Sequence, residues 1–435
     1  MGTAFEPSHF FWMQMVQHSN RGVVLGNGRS GRAAADVLRR EGWTVDVLDG
    51  ADVWPDRQYD LCVTSPGIPL DHPWQQQARE RHVPVISELQ LAAERWHAAG
   101  GRMLAVTGSK GKSSVVKLVA DALSRAGRPA LPCGNYGTPL CELVLSHLEP
   151  HNVISRSPLP WAVVEVSSFQ METTELPEDA FEAAAVLNLQ EDHLDRHGCI
   201  EVYHALKRRL LGMARVRVDG TDLDARANSC QDLMAGSYFD NPVLRVNGLC
   251  AVALLRVAGL DDSAIADAFA TFEPLPHRMQ TVLIRDGVRW IDDSKATSLA
   301  ALAAGVEMAL ARPRGTEPGG DFPVLLIAGG LPKGDDPFSV IPRLRSGVKK
   351  VYLIGRCAKQ LFAAWRETVT CEVCETLDRA VESARRDACP GETVLLSPGT
   401  ASFDQFKSYG ARGDRFASLA WEGADAVDGC TSKRG

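Results

Sequence analysis

Along the chain, short apolar runs recur, each closed by a glycine- or serine-rich turn and followed by a stretch whose apolar positions return every three or four residues. An apolar run that does not alternate suits a strand buried on both faces, and the 3.6-residue period suits a helix laid over it. The pattern therefore predicts parallel sheets covered by helices. Strands are predicted at residues 22–25, 45–49, 61–64, 103–106, 161–166 and 183–189, with helices at 33–40, 89–99 and 200–211. Another helix follows the loop at 108–114, where Val115, Val116, Leu118, Val119 and Leu123 keep helical spacing. Helices at 247–257 and 264–272 come next, and strands at 289–291, 324–328, 350–354 and 393–396 alternate with further helices, one of them at 299–310. Residues 212–245 are polar and irregular, and no element is read there.

Two points divide this pattern. Gly100 and Gly101 end the helix at 89–99, and a rigid Leu-Pro-His-Arg connector occupies 275–278. With about 150 residues per domain as the prior, the 435-residue chain is expected to form three domains, over 1–100, 101–275 and 276–435.

Composition narrows the function. Hydrophobic residues make up 45% and charged residues 23%, as in a globular protein, and the net charge of -7 argues against a nucleic-acid partner. No apolar run approaches the roughly 20 residues of a membrane span. Residues 10–13 (Phe-Phe-Trp-Met) are interrupted by Gln14 and Gln17 and have no basic segment before them, so a secretory signal is not expected. The 11 cysteines are scattered through apolar segments, which suits a reduced cytoplasmic enzyme. Cys371 and Cys374 form one C-x-x-C without a second pair, so no zinc site is expected.

Chemistry enters at 108–114. Gly108, Ser109, Lys110, Gly111, Lys112, Ser113 and Ser114 lie between a strand and a helix. Two glycines let backbone N–H groups face one point, the helix start adds partial positive charge, and Lys112 adds a full one. Together they suit a polyphosphate, and the Ser113 hydroxyl suits its Mg²⁺. Glu165, on a strand expected to be buried on both faces, reads either as a Mg²⁺ ligand or as a salt-bridged structural acid. His193 follows a strand end and is the candidate histidine, with His197 expected at the surface. Lys207 sits with Arg208 and Arg209 in what composition alone reads as a solvated basic face. The first glycine turn, at Gly26, Gly28 and Gly31, is either a nucleotide site or a structural turn. The fold class is thus α/β in three domains: Rossmann-like at the N-terminus, P-loop ATPase-like in the centre and Rossmann-like at the C-terminus.

Taken together, 65–68 (Ser-Pro-Gly-Ile), 108–114, 165–170 (Glu-Val-Ser-Ser-Phe-Gln), 192–196 (Asp-His-Leu-Asp-Arg), 275–278, 293–297 (Asp-Ser-Lys-Ala-Thr) and 397–406 resemble the Mur ligases of peptidoglycan precursor synthesis. The resemblance runs in order across all three expected domains. It implies an ATP-dependent amide ligase that phosphorylates the alanine carboxylate of UDP-N-acetylmuramoyl-L-alanine and joins it to D-glutamate through an acyl phosphate. The alternatives are the same reaction with L-glutamate, or another amide ligase of the superfamily such as a folylpolyglutamate synthase.

By the same resemblance, Lys112, Glu165, His193 and Lys207 are expected to be catalytic. Two Mg²⁺ ions are expected on Ser113, Glu165, His193 and a carbamylated Lys207. Asn247, Arg278 and Asp293 are expected to join the loop at 108–114 in holding ATP. Ser30, Asp49, Ser65, Asn135, Ser167 and Gln170 fall on the UDP-sugar side, and Thr297, Lys333, Ser402 and Tyr409 on the glutamate side. A cytoplasmic monomer that neither binds nucleic acid nor inserts into a membrane is expected. The chain departs from the family pattern at Gly-Gly-Leu-Pro before Lys333, at Leu244 and Arg245 in place of a His-Asn pair, at Ser298 in place of asparagine, and in a short second domain after Lys207.

Overall fold

The computed structural model describes residues 20–149, 153–154, 158–223, 229–311 and 323–422. Residues 10–13 lie outside them. The chain divides into two compact units, Met1–Cys230 with Val246–Ala268, and Gln231–Arg245 with Phe269–Gly435.

The first unit carries two parallel sheets. Strands β1 (Arg21–Leu25), β2 (Thr44–Leu48), β3 (Leu61–Thr64) and β4 (Val85–Ser87) pair in the order β2-β1-β3-β4. The winding reverses beside β1, so the C-terminal ends of β1 and β3 flank a topological switch, the place where such sheets leave a crevice for a ligand. The turns after these strands meet there, with Ser65 N–H donating to Leu25 O at 3.0 Å. A Cβ on Gly31 would lie 1.9 Å from Gly26 O, so this close approach requires glycine.

Strands β5 (Met103–Thr107) and β6 (Ala130–Gly134) open the second sheet, and the two-residue strands β7 (Leu148–Glu149) and β8 (Val153–Ile154) pair apart from it. With β9 (Trp161–Glu165), β10 (Phe181–Val186) and β11 (Ala214–Asp219), the order is β11-β10-β5-β9-β6. Because β5 stands between β9 and β10, the loop after it emerges between their ends. Helices Arg29–Arg40, Glu88–Ala98 and Leu140–His147 join the two sheets through one core that includes Leu38, Trp96, Leu143, Ala105 and Val164. β11 falls in the stretch where no element was read. It is an edge strand whose Arg215 and Arg217 face solvent, so the apolar run that marks the other strands is missing.

The second unit holds one sheet of β12 (Gln280–Arg285), β13 (Val288–Asp292), β14 (Val324–Gly329), β15 (Val348–Ile354), β16 (Thr370–Glu375) and β17 (Thr393–Leu396). Its order is β12-β13-β17-β14-β15-β16, with β12 antiparallel to β13 and the other pairs parallel. Leu326, Leu353 and Leu395 pack on one face and Leu325, Ile327, Val394 and Leu396 on the other, which explains why these strands read as unbroken apolar runs. Cys371 and Cys374 lie on β16, and all described cysteines are free. Among the described residues no helix is long and apolar enough to cross a membrane.

Candidate functional site

The loop at 108–114 leaves β5 and turns into the helix Lys112–Arg125, whose N-cap Gly111 takes φ +82°. A side chain at that φ is strained, so glycine is what lets the loop enter its helix. The Lys112 ammonium donates to the carbonyls of Gly108 (2.8 Å) and Ser109 (3.1 Å), and Lys207 Nζ donates to the same Gly108 carbonyl at 2.9 Å. Asn188, just past β10, straps the loop. Its Oδ1 accepts from Lys110 N–H at 2.9 Å, and its amide donates to Lys110 O and Asn247 Oδ1, both at 2.9 Å. Tyr203 O–H donates to Ser109 Oγ at 3.1 Å. Neither Asn188 nor Tyr203 was read from the sequence. The only signal for Asn188 was a polar residue near the end of the apolar stretch read as a strand at 183–189, which in the structure ends at Val186.

Glu165 ends β9, opposite Val106 in the register, and is 2% exposed. Its Oε1 accepts from Asn135 Nδ2 at 2.6 Å, while Oε2 is buried with no hydrogen-bond partner. A buried carboxylate oxygen without a donor is costly and calls for a cation. A carboxylate oxygen is the hard donor that Mg²⁺ takes. The structural-acid alternative fails in its specific form, since Glu165 takes part in no salt bridge among the described residues.

Lys207 corrects the composition reading. Arg208 and Arg209 face outward, but Lys207 turns inward one helical turn from Tyr203, 1% exposed, with Nζ 4.5 Å from that ring. Burial, reinforced by the Lys112 charge, pushes its pKa down to about 7 against the pull of Asp192 and Glu165. A lysine held near neutrality can add CO₂ as a carbamate, whereas an ammonium cannot ligate a cation. Among the described residues no group of three or more His, Cys, Asp and Glu side chains could hold a metal. A carbamate on Lys207 would add oxygen donors to the Glu165 carboxylate, the kind of ligand a hard cation takes.

His193 takes φ +54° at the start of the one-turn helix Leu194–His197, its side chain half exposed, with Nε2 3.9 Å from Asp192 Oδ1. His197, expected at the surface, is buried instead. The single turn carries it back beneath Phe169 and Tyr203, with Nε2 3.0 Å from Ser168 Oγ and Nδ1 3.4 Å from Glu172. The neighbouring Arg196 grips Glu172 with two hydrogen bonds of 3.0 and 2.5 Å and donates to Ile68 O at 3.0 Å, so the His193 turn is tied to the loop after β3.

Of the UDP-sugar candidates, Ser30 lies in the first turn of Arg29–Arg40 and Ser65 is buried at the end of β3, both at the switch point. Asp49 is exposed just after β2. Asn135 is engaged by Glu165, and Ser167 and Gln170 form a reciprocal capping box on the helix Ser168–Met171.

In the second unit, Asp293 follows β13 and is buried. Ser397 O–H donates to it at 2.9 Å and Met279 N–H at 3.3 Å, yet burial outweighs both and raises its pKa to about 7. Arg278 is partly exposed on the connector. Lys333 Nζ reaches Thr297 Oγ1 at 3.3 Å, Ser402 is buried in the turn after β17, and Tyr409 opens the helix Tyr409–Glu422 with Lys295 Nζ 3.9 Å from its ring. A cavity of about 280 Å³ opens beside Lys333, Gln360 and Thr400.

Residues 106–221 match the Mur ligase middle domain, and residues 277–399 match the Mur ligase glutamate ligase domain. A UDP-N-acetylmuramoylalanine–D-glutamate ligase of Sphingopyxis alaskensis is 37% identical over 438 residues, covering 91% of this chain and 96% of that protein. One of the same name from Chlamydia abortus is 32% identical, covering 93% and 98%. Among solved structures, UDP-N-acetylmuramate–alanine ligase MurC of Thermotoga maritima superposes with a TM-score of 0.55 at 15% identity, over 93% of this chain and 100% of that one. MurF of the same organism, solved with ADP, gives 0.54 at 15%, over 92% and 97%. At such identities the structures speak for the fold.

Proposed function

The chain belongs to the Mur ligase family, and from that membership we propose how its residues carry out the reaction. It is an ATP-dependent amide ligase that adds D-glutamate to UDP-N-acetylmuramoyl-L-alanine in peptidoglycan precursor synthesis, the activity that names its relatives. One observation carries the residue assignment: Lys112 and Lys207 converge on the Gly108 carbonyl beside a buried Glu165 that keeps one oxygen without a donor.

The loop N–H groups and Lys112 hold the β- and γ-phosphates, and the helix Lys112–Arg125 points its N-terminus at them. Asn247, Arg278 and Asp293 complete the ATP contacts. Two Mg²⁺ ions, on Ser113 and Glu165 and on His193 and the Lys207 carbamate, would neutralise the phosphate oxygens. The loops after β1 and β3, with Asp49, Asn135, Ser167 and Gln170, hold the UDP-sugar so that an oxygen of its alanine carboxylate attacks the γ-phosphorus in line. ADP departs and an acyl phosphate remains. Thr297, Lys333, Ser402 and Tyr409 hold glutamate. Its deprotonated amine bonds to the acyl carbon, and the tetrahedral adduct expels phosphate with the C–O bonding pair. In this reading 1–100 serves the UDP-sugar, 101–275 ATP and 276–435 glutamate, in a cytoplasmic monomer.

The test is phosphate release with an amino-acid panel and chiral analysis of the product. Release should require ATP, UDP-N-acetylmuramoyl-L-alanine and D-glutamate together. Equal release without the sugar and the amino acid would reject the ligase, and a product made only from L-glutamate would reverse the stereochemistry.

A further inference from the structure

Arg412 lies in the helix Tyr409–Glu422 with 1% of its surface exposed, and no carboxylate stands within ion-pair distance of it among the described residues. Burying a cation without a counter-charge is costly, and a fold that keeps one there compensates with hydrogen bonds. Nε donates to Ser294 Oγ at 3.0 Å, Nη2 to Ser294 O at 3.0 Å and Thr400 O at 3.1 Å, and Nη1 points to Ala401 O at 3.5 Å. Burial lowers its pKa to about 10 against the more distant Asp404 and Asp292, so it stays charged at neutral pH.

What these acceptors belong to gives the fork its meaning. Ser294 follows Asp293 on the loop that carries Thr297, and its hydroxyl donates to Tyr409 O at 2.8 Å. Thr400 and Ala401 precede Ser402. Ala401 exchanges two backbone hydrogen bonds, 2.9 and 3.1 Å, with Leu331, and so ties in the loop that carries Lys333. Lys333 in turn reaches Thr297. The four residues assigned to the amino acid thus hang from segments that meet at one guanidinium. Thr400 adds a buried hydroxyl without a partner on the wall of the neighbouring cavity.

We infer that Arg412 is the positioning residue of the amino-acid site: its planar fork fixes the loops 293–298, 330–334 and 397–402 relative to one another, and its unpaired charge favours an incoming amino acid with two carboxylates. The inference rests on the assignment of this site to glutamate. Arginine is required because lysine offers a point charge without the fork.

The experiment measures kcat and the KM of each substrate, with thermal melts, for the full-length wild type, Arg412→Lys and Arg412→Met. Arg412→Met should raise the glutamate KM about tenfold or more, as loss of a charged, multiply bonded anchor does. It should move the KM values of ATP and the UDP-sugar less than about threefold and narrow the preference for glutamate over glutamine. Arg412→Lys should fall between. If Arg412→Met does not fold, Arg412→Lys and Ser294→Ala, which removes the Nε acceptor, decide in its place. A folded variant with an unchanged glutamate KM, or with all three KM values raised alike, would reduce Arg412 to a structural residue and leave the ligase assignment standing. A wild type indifferent to glutamate would overturn that assignment, and this inference with it, before any variant is made.

Discussion

Lys207 holds its nitrogen 2.9 Å from the Gly108 carbonyl, buried and with a pKa near 7 against a usual 10.5. The folded pKa is depressed, so between about 7 and 10.5 the unfolded chain binds a proton that the native chain does not. Stability gained from this site therefore rises with pH across that window. The neutral amine that the proposed carbamate requires also accumulates as pH passes 7, so activity should climb there and depend on added CO₂. Lys207→Ala should lower kcat about 10²-fold or more, as removal of a preorganised charge at phosphoryl transfer does. A small added carboxylate should restore part of it. Full activity without the additive would remove the carbamate from the mechanism. At this scale the sequence was uneven. The strand–loop–helix start at Lys112 and the burial of Glu165 were legible because glycine spacing and an acid inside an apolar strand are local signals. The burial of Lys207 and His197 was not, because it depends on Tyr203 and Phe169 packing over them from other turns.

Elements meet where single groups bear the strain of contact. Helices Glu88–Ala98 and Leu140–His147 join at Glu88, whose Oε1 accepts from Cys141 N–H at 2.8 Å and which burial lifts from 4.5 to about 7. Here the folded pKa is raised, so the native acid keeps a proton that the unfolded chain sheds between about pH 4.5 and 7, and stability falls as pH rises through that window. Urea melts at pH 5 and pH 8 should show wild type losing stability relative to Glu88→Gln at the higher pH. A constant difference would show that Glu88 ionises normally in the fold. Sheet-centre strands were readable as elements because they bury both faces. The edge strand β11 was not, since half its side chains face water and the apolar run dissolves.

For the molecule as a whole, the repeated device is a loop at a strand's C-terminal end beside a change in winding order, used after β1 and β3, after β5 and β9, and after β13 and β17. The order of motifs along the chain made this architecture legible. The merging of the first two sheets into one compact unit was not, because it depends on a core shared by Leu38, Trp96 and Leu143 that no periodicity encodes. The proposed mechanism centres on activation of the sugar's carboxylate by ATP. The direct measurement is a turnover with ATP, D-glutamate and UDP-N-acetylmuramoyl-L-alanine carrying oxygen-18 in both oxygens of its alanine carboxylate, followed by mass analysis of the released phosphate. The acyl phosphate route predicts one heavy oxygen in each phosphate released, and unlabelled phosphate would contradict it.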